Sequence, residues 1–305
     1  MSETKPLTLS GVAETLLITL YIRAMESQRP DALIKDERAE ALVRQMDQGF
    51  LQSKLAKIED YSAIPSFMQV AIILRSREFD RHARDFLARH PEAVVVHIGC
   101  GLDTRFGRVD NGRVEWYDLD LPDVIELRRK LIGGEGERYH LLACSVFDSA
   151  WLDTVSAHHQ RPFLFLAEGV FMYFEEVQVK SLVLTLRGRF PGAELAFDAF
   201  SPFYSWANNL RVTLTKVGAR SYWAMKRGQD LERWSDPSTS LPSAPLGTSR
   251  AGGTLAPHEA QASAGVRLLD ERFPFQYPEP RMRRALQMRL FPFLATAIGV
   301  FHYQL

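Results

Sequence analysis

Apolar residues recur at helical spacing between Ser10 and Glu26, at Val12, Leu16, Leu17, Leu20 and Met25, with Ser10 at the N-cap position. The same period returns from Ala39 to Phe50 and from Pro65 to His90, so residues 1–90 read as a helical cap ahead of any sheet. The period then changes. Ala93–Ile98 (AVVVHI) is an unbroken β-branched run that ends in Gly-Cys-Gly, which predicts a strand buried on both faces. Comparable runs lie at Val114–Leu119, His140–Cys144, Phe163–Ala167 and Glu194–Phe197, and helical patterns occupy Pro122–Ile132 and Glu175–Arg189. This alternation predicts an α/β core over residues 91–305 with a Rossmann-like, doubly wound parallel sheet. Residues 235–265 are rich in Ser, Pro, Gly and Ala and contain no aromatic ring, a composition that predicts a flexible insertion. Order resumes at Val266, and Gly299–Leu305 reads as a last strand, giving a terminal antiparallel pair.

Composition narrows the function classes. Lys and Arg together number 37, as do Asp and Glu, so nothing in the charge balance advertises a nucleic-acid surface. Cys100 and Cys144 both sit in apolar runs, which suggests neither a disulfide framework nor a metal cage and fits a reducing, cytoplasmic setting. The N-terminus lacks the pattern of a signal peptide, and no apolar run reaches the length of a membrane span.

The chemistry concentrates after the first two core strands. HIGCGLDTR puts Gly99 and Gly101 at the carboxyl end of a strand, where a glycine turn lets backbone approach a ligand. A dinucleotide fingerprint wants a third glycine where this chain has Thr104, so a nucleoside without a pyrophosphate fits better. WYDLDLPDV then places Asp118 and Asp120 about where an acid grips ribose hydroxyls. Only one can have that role, and either can instead cap the helix that starts near Pro122.

Taken together, GCGLDTR, YDLDLPDV, AEGVFMYF and GAELAFDAF resemble the leucine carboxyl methyltransferase family. The segments SGVAETLLITLYIRAMESQRPDALIKDE, GVRLLDE and FHYQL are similar to its small-molecule branch, which includes the tetracenomycin polyketide O-methyltransferases. The resemblance implies a class I methyltransferase fold and S-adenosylmethionine as cofactor. It makes Gly99, in the turn with Gly101, a backbone contact, Asp120 the ribose ligand and Glu168 a cofactor-site acid. It assigns the methionine carboxylate to an arginine before the first strand, Arg75 or Arg77, with Arg77 preferred. Relatives carry Asp-Leu at the adenine edge, whereas this chain has Ser145 and Val146, with Asp148 three residues past Ser145 as a second candidate or as an N-cap of the following helix.

Acceptor ionisation separates the reactions this family performs. A carboxyl group with a pKa near 4 is ionised at neutral pH, whereas removing the proton of a phenol with a pKa near 10 costs about 4 kcal/mol and calls for a base. His97, His140, His158 and His159 sit in strands or polar loops, and Tyr173 is a poor base. The expected reaction is therefore methyl-ester formation on a small organic acid, aromatic, dicarboxylic or polyketide. Its pocket is expected from the N-terminal helices and the aromatic stretches holding Tyr204, Trp206, Tyr222 and Trp223, with Tyr173, Tyr204 and Tyr222 as substrate-positioning candidates and Arg23 and Arg220 as carboxylate partners. The competing readings are a phenolic O-methyltransferase, a protein C-terminal carboxyl methyltransferase, an NAD-dependent oxidoreductase and an inactive binding scaffold. The expected partner is a small-molecule acid or phenol, with no nucleic acid or membrane, for a monomer or homodimer.

Overall fold

The computed structural model describes residues 11–46, 66–158, 160–215, 219–235, 265–283 and 295–305. Helices α1 (Gly11–Ser27), α2 (Glu37–Gln45) and α3 (Ser66–Arg89) precede β1 (Val94–Ile98). There follow α4 (Arg105–Val109), β2 (Glu115–Asp120), α5 (Pro122–Leu131), β3 (Tyr139–Ala143), α6 (Ala150–Ser156), β4 (Phe163–Ala167), α7 (Glu176–Arg189), β5 (Glu194–Phe200) and α8 (Pro202–Thr215). Strands β6 (Arg267–Arg272) and β7 (Ile298–Gln304) complete one sheet in the order β3-β2-β1-β4-β5-β7-β6. The first five strands are mutually parallel, and β7 runs antiparallel to both β5 and β6. This is the predicted Rossmann-like sheet with its terminal antiparallel pair.

Burial on both faces explains why β1 reads as an unbroken apolar run. Val94, Val96 and Ile98 pack with Trp151 of α6 and Val179 and Val183 of α7, while Val95 packs on the other side against Phe79, Ala83 and Phe86 of α3. Each such side chain, fully withdrawn from water, contributes about 1.5–3 kcal/mol. Helix α3 therefore belongs to the layer that covers the sheet, whereas Leu17, Leu20 and Ala24 of α1 pack against Ala39, Leu42 and Val43 of α2. Helix α2 starts two residues ahead of the predicted boundary because Asp36 caps it, accepting from Ala39 N at 3.0 Å. Ser10, the predicted cap of α1, residues 47–50 of the second predicted helix, His159 and the body of the expected 235–265 insertion lie outside the described residues.

The far side of α3 carries a buried histidine pair. The rings of His82 and His302 stand 4.5 Å apart, and His302 Nε2 is 2.7 Å from the Glu194 carboxylate, off hydrogen-bond geometry. Burial, the His302 ring and Arg81 push the His82 pKa down to about 3 from 6.5. The folded state thus keeps His82 neutral where the unfolded chain takes up a proton, so stability falls as pH drops below about 6.5, at up to ~1.4 kcal/mol per pH unit for one such group. Urea unfolding at pH 7, 6 and 5 should show this slope in wild type and a flatter one in His82→Gln. An unchanged slope in the variant would mean that His82 is protonated in the folded protein.

Candidate active site

The carboxyl ends of β1, β2, β3 and β4 open into a crevice of about 510 Å³, at the point where strand order reverses between β1 and β4. A volume in this range suits a cofactor-sized small molecule. The turn after β1 forms its floor. Gly99 N donates to Leu119 O at 2.7 Å, and Gly99 has φ +65°. A Cβ there would stand 2.4 Å from Val170 Cγ2, so both conformation and space require glycine. Gly101, at φ +50°, lies under the end of Leu16 from α1, which brings the N-terminal helix over the site. Thr104, at the place of a third glycine, turns its hydroxyl to Asp36, so no pyrophosphate cradle is built.

The two acids of β2 have separate fates, and neither caps α5, whose N-cap residue is Leu121 and has no side-chain bond. Asp118 sits inside the sheet layer, opposite His97 of β1. It pairs with Arg128 and accepts from Trp116 Nε1 at 2.8 Å and Tyr139 Oη at 2.5 Å. Burial opposes its ionisation, but Arg128 and His97 outweigh burial and hold its pKa low. Asp120, one residue beyond the last β1–β2 pair, emerges at the crevice. Its carboxylate accepts from Gly101 N and Leu121 N, each at 2.8 Å, and burial raises its pKa against those two bonds. A carboxylate held by backbone donors alone keeps acceptor capacity for hydroxyl groups.

Behind the glycine turn runs a buried chain of ion pairs. Arg23 bonds to Asp36, Arg108 bridges Asp36, Asp80 and Asp103, and Arg105 bridges Asp80, Asp103 and Glu168. Arg75 then links Glu168 at 3.0 Å to Asp198 at 3.1 Å. Burial pushes the Glu168 pKa up, but Arg105 and Arg75 outweigh it and bring the acid to about 2. Arg84 also reaches Asp80, at 3.8 Å, so five guanidiniums face five carboxylates along the chain, and burial raises the pKa of Asp198. Sequence reasoning passed over Asp36, Asp80, Asp103, Arg105, Arg108 and Asp198. A lone acid in the apolar ELAFDAF run and the paired arginines of DTRFGR were the available signals.

Of the remaining candidates, Ser145, Val146, Glu168, Tyr173, Arg23 and Arg75 line the crevice. Arg77 does not: it lies over the Tyr277 ring on another face of α3, so Arg75 takes the position preferred for Arg77. Arg23 lines the crevice, but its guanidinium already serves Asp36 and Leu102 O at 2.9 Å. Asp148 is exposed and accepts from Ala150 N at 3.1 Å, but the N-cap of α6 is Ser149, so Asp148 stands one residue ahead of the expected cap. Arg220 and Tyr222 are exposed and do not line the crevice, although Tyr222 N bonds to Met172 O at its edge, Trp206 is exposed too, and Trp223 is buried in the core against Phe197. Tyr204 packs edge-on to Phe200, which lines the crevice. His97 also lines it, yet its ring is committed to Asp118 at 3.4 Å and Arg105 at 3.3 Å.

The leucine carboxyl methyltransferase family profile matches residues 16–187, which contain the glycine turn, both acids of β2 and Glu168. The tetracenomycin polyketide synthesis O-methyltransferase TcmP of Streptomyces glaucescens is 37% identical over 229 residues, covering 73% of this chain and 79% of its own. The S-adenosyl-L-methionine-dependent methyltransferase dpfgK of Gibberella zeae is 32% identical over 74% of this chain and 79% of its own. Among solved structures, a DUF574 family protein from Streptomyces avermitilis superposes with a TM-score of 0.55 over 95% of this chain and 96% of its own, at 12% identity, a likeness of fold. With the crevice and these relatives in agreement, the chain belongs to the leucine carboxyl methyltransferase family and is an S-adenosylmethionine-dependent methyltransferase.

Proposed function

We propose that the chain is an O-methyltransferase that forms methyl esters on small organic acids, with polycyclic aromatic acids of polyketide type as the leading acceptor class. The observation that carries this reading is how the His, Glu and Tyr side chains that line the crevice are held, none of them disposed as a base. His97 is held between Asp118 and Arg105, Glu168 is clamped by Arg105 and Arg75, and burial raises the Tyr173 hydroxyl above its ordinary range. A carboxylate acceptor needs no proton removed, whereas a phenol would. The outer lining, with Met172, Phe174 and Phe200, suits an apolar ring system. The Streptomyces relative, a tetracenomycin polyketide synthesis O-methyltransferase, points the same way.

On this reading Asp120 accepts from the ribose hydroxyls and the Gly99–Gly101 backbone lies along the nucleoside. Ser145 and the Val146 backbone meet the adenine edge. Arg75 holds the methionine carboxylate, and Glu168 faces the ammonium group. S-adenosylmethionine supplies an electrophilic methyl group, and the protein aligns the acceptor oxygen with it and excludes water. Leu16 and Ile18 of α1, which line the crevice, do the excluding.

Two tests follow. Asp120→Asn should weaken S-adenosylhomocysteine binding about tenfold or more by calorimetry, the loss of charge-assisted hydrogen bonds, with little change in melting temperature. Asp118→Asn should instead cost about 3–5 kcal/mol of stability, because it strands the buried Arg128. Equal affinity in Asp120→Asn would remove the ribose assignment. Methyl-labelled cofactor offered with polycyclic aromatic acids and the matching phenols should label the acids, and alkali should release the label as methanol. Alkali-stable label on the phenols alone would overturn the ester reading.

A further inference from the structure

The crevice has an outer end that the cofactor reading does not use, where the 3₁₀ turn Phe171–Tyr173 meets α8. Tyr173 lines the crevice there. Tyr204, Asn208 and Arg211 follow one another at i, i+4 and i+7 and so share a face of α8, and Tyr204 packs on Phe200 of the crevice wall, with ring centroids 4.8 Å apart.

The hydroxyl groups set these two tyrosines apart. Tyr303 bonds to Gly228 O at 2.7 Å, Tyr139 to Asp118 and Arg128, Tyr117 to His158 at 2.9 Å, and Tyr277 to Glu78. Tyr173 and Tyr204 are half-buried, yet neither hydroxyl has a hydrogen-bond partner among the described residues, and neither is sealed from solvent. A half-buried phenol O–H normally finds an acceptor. Burial raises both hydroxyls, so both remain donors at neutral pH. The charge of Arg211 reaches both, and its guanidinium touches Asn208 Oδ1 at 3.4 Å. Arg75 also faces both rings, but it is held by Glu168 and Asp198.

We infer that Tyr173, Tyr204 and Arg211 form the site that receives the acceptor's carboxylate: two phenolic donors set its oxygens and the rim guanidinium supplies the opposite charge. The inference rests on the ester reading and adds the residues that select an anion. It replaces Arg23, whose guanidinium is committed, and Arg220, which lies off the crevice. These are positioning residues: they orient the acceptor oxygen and take no proton.

The test titrates protein loaded with S-adenosylhomocysteine with naphthalene-2-carboxylate, anthracene-2-carboxylate and tetracene-2-carboxylate, and with 2-naphthol as the uncharged control. Turnover is then measured with S-adenosylmethionine and whichever acid binds. Arg211→Ala and Tyr204→Phe, checked by melting, should each weaken acid binding and raise KM for the acid about tenfold, with kcat changed far less. Their affinity for S-adenosylhomocysteine and for 2-naphthol should be unchanged, and Arg211→Lys should recover part of the loss. Acid binding that is equal in wild type and both variants would overturn the carboxylate site while leaving the ester reading intact. Failure of wild type to bind any of the acids would overturn it as well. Methylation of 2-naphthol alone would instead remove the ester reading beneath it.

Discussion

The buried ion-pair chain from Asp36 to Asp198 is the constraint on which the site depends. It runs from the cap of α2, through the helix after the glycine turn and Asp80 of α3, to the ends of β4 and β5, and so fastens elements far apart in sequence around one crevice. A buried ion pair gives little net stability, since desolvation of its charges offsets their attraction, but removing one partner leaves a charge that the interior cannot solvate. Such a chain therefore fixes geometry more than it adds stability. Misplacing α3 would break several pairs at once, and misplacing α1 would strip Arg23 from both Asp36 and Leu102 O.

That constraint explains how α1 is placed over the nucleoside floor. Arg23 ties α1 both to Asp36 and to Leu102 O in the glycine turn, so Leu16 on the same helix rests on Gly101. The turn in turn accepts the helix because Gly101 has no Cβ to obstruct Leu16. The same turn holds Asp120 through Gly101 N. Floor, acid and cover are thus one mechanical unit, and sequence distance between them is no guide to their coupling.

The strands were legible because burial on both faces leaves a continuous apolar run, and Asp120 was legible because it ends one. Asp118 and Asp120 share a face by strand alternation, so period alone could not separate them; the register against β1 does, leaving Asp118 opposite His97 and Asp120 beyond the last pair. Arg75 and Arg77 were inseparable for a related reason. Two residues along a helix point to different sides, and which side meets the crevice is set by packing of α3 on the sheet, through Phe79 and Ala83, rather than by the local text. The ionic chain was hidden because each charge, read alone, passes for a solvated one. Only the lone acids in apolar strands broke that pattern.

The charge pattern of the crevice also bears on the proposed acceptor. Methyl transfer from a sulfonium to a carboxylate turns two opposite charges into two neutral products, so charge disappears on the way to the transition state. An environment less polar than water favours such a step, since leaving water costs the separated ions more solvation than it costs the charge-dispersed transition state. An apolar lining with α1 drawn over it provides that environment. The wall around the cofactor is largely paired internally, and Arg75, bonded to Glu168 and Asp198 through Nε and Nη1, is on this reading further occupied by the methionine carboxylate rather than by the incoming anion. A strong cation against the reacting carboxylate would lower its nucleophilicity, so the useful place for one is at the rim, the role inferred for Arg211, whose charge reaches both Tyr173 and Tyr204. An arrangement that attracts the anion from the rim and holds it near the methyl group by phenols orients the oxygen without quenching it.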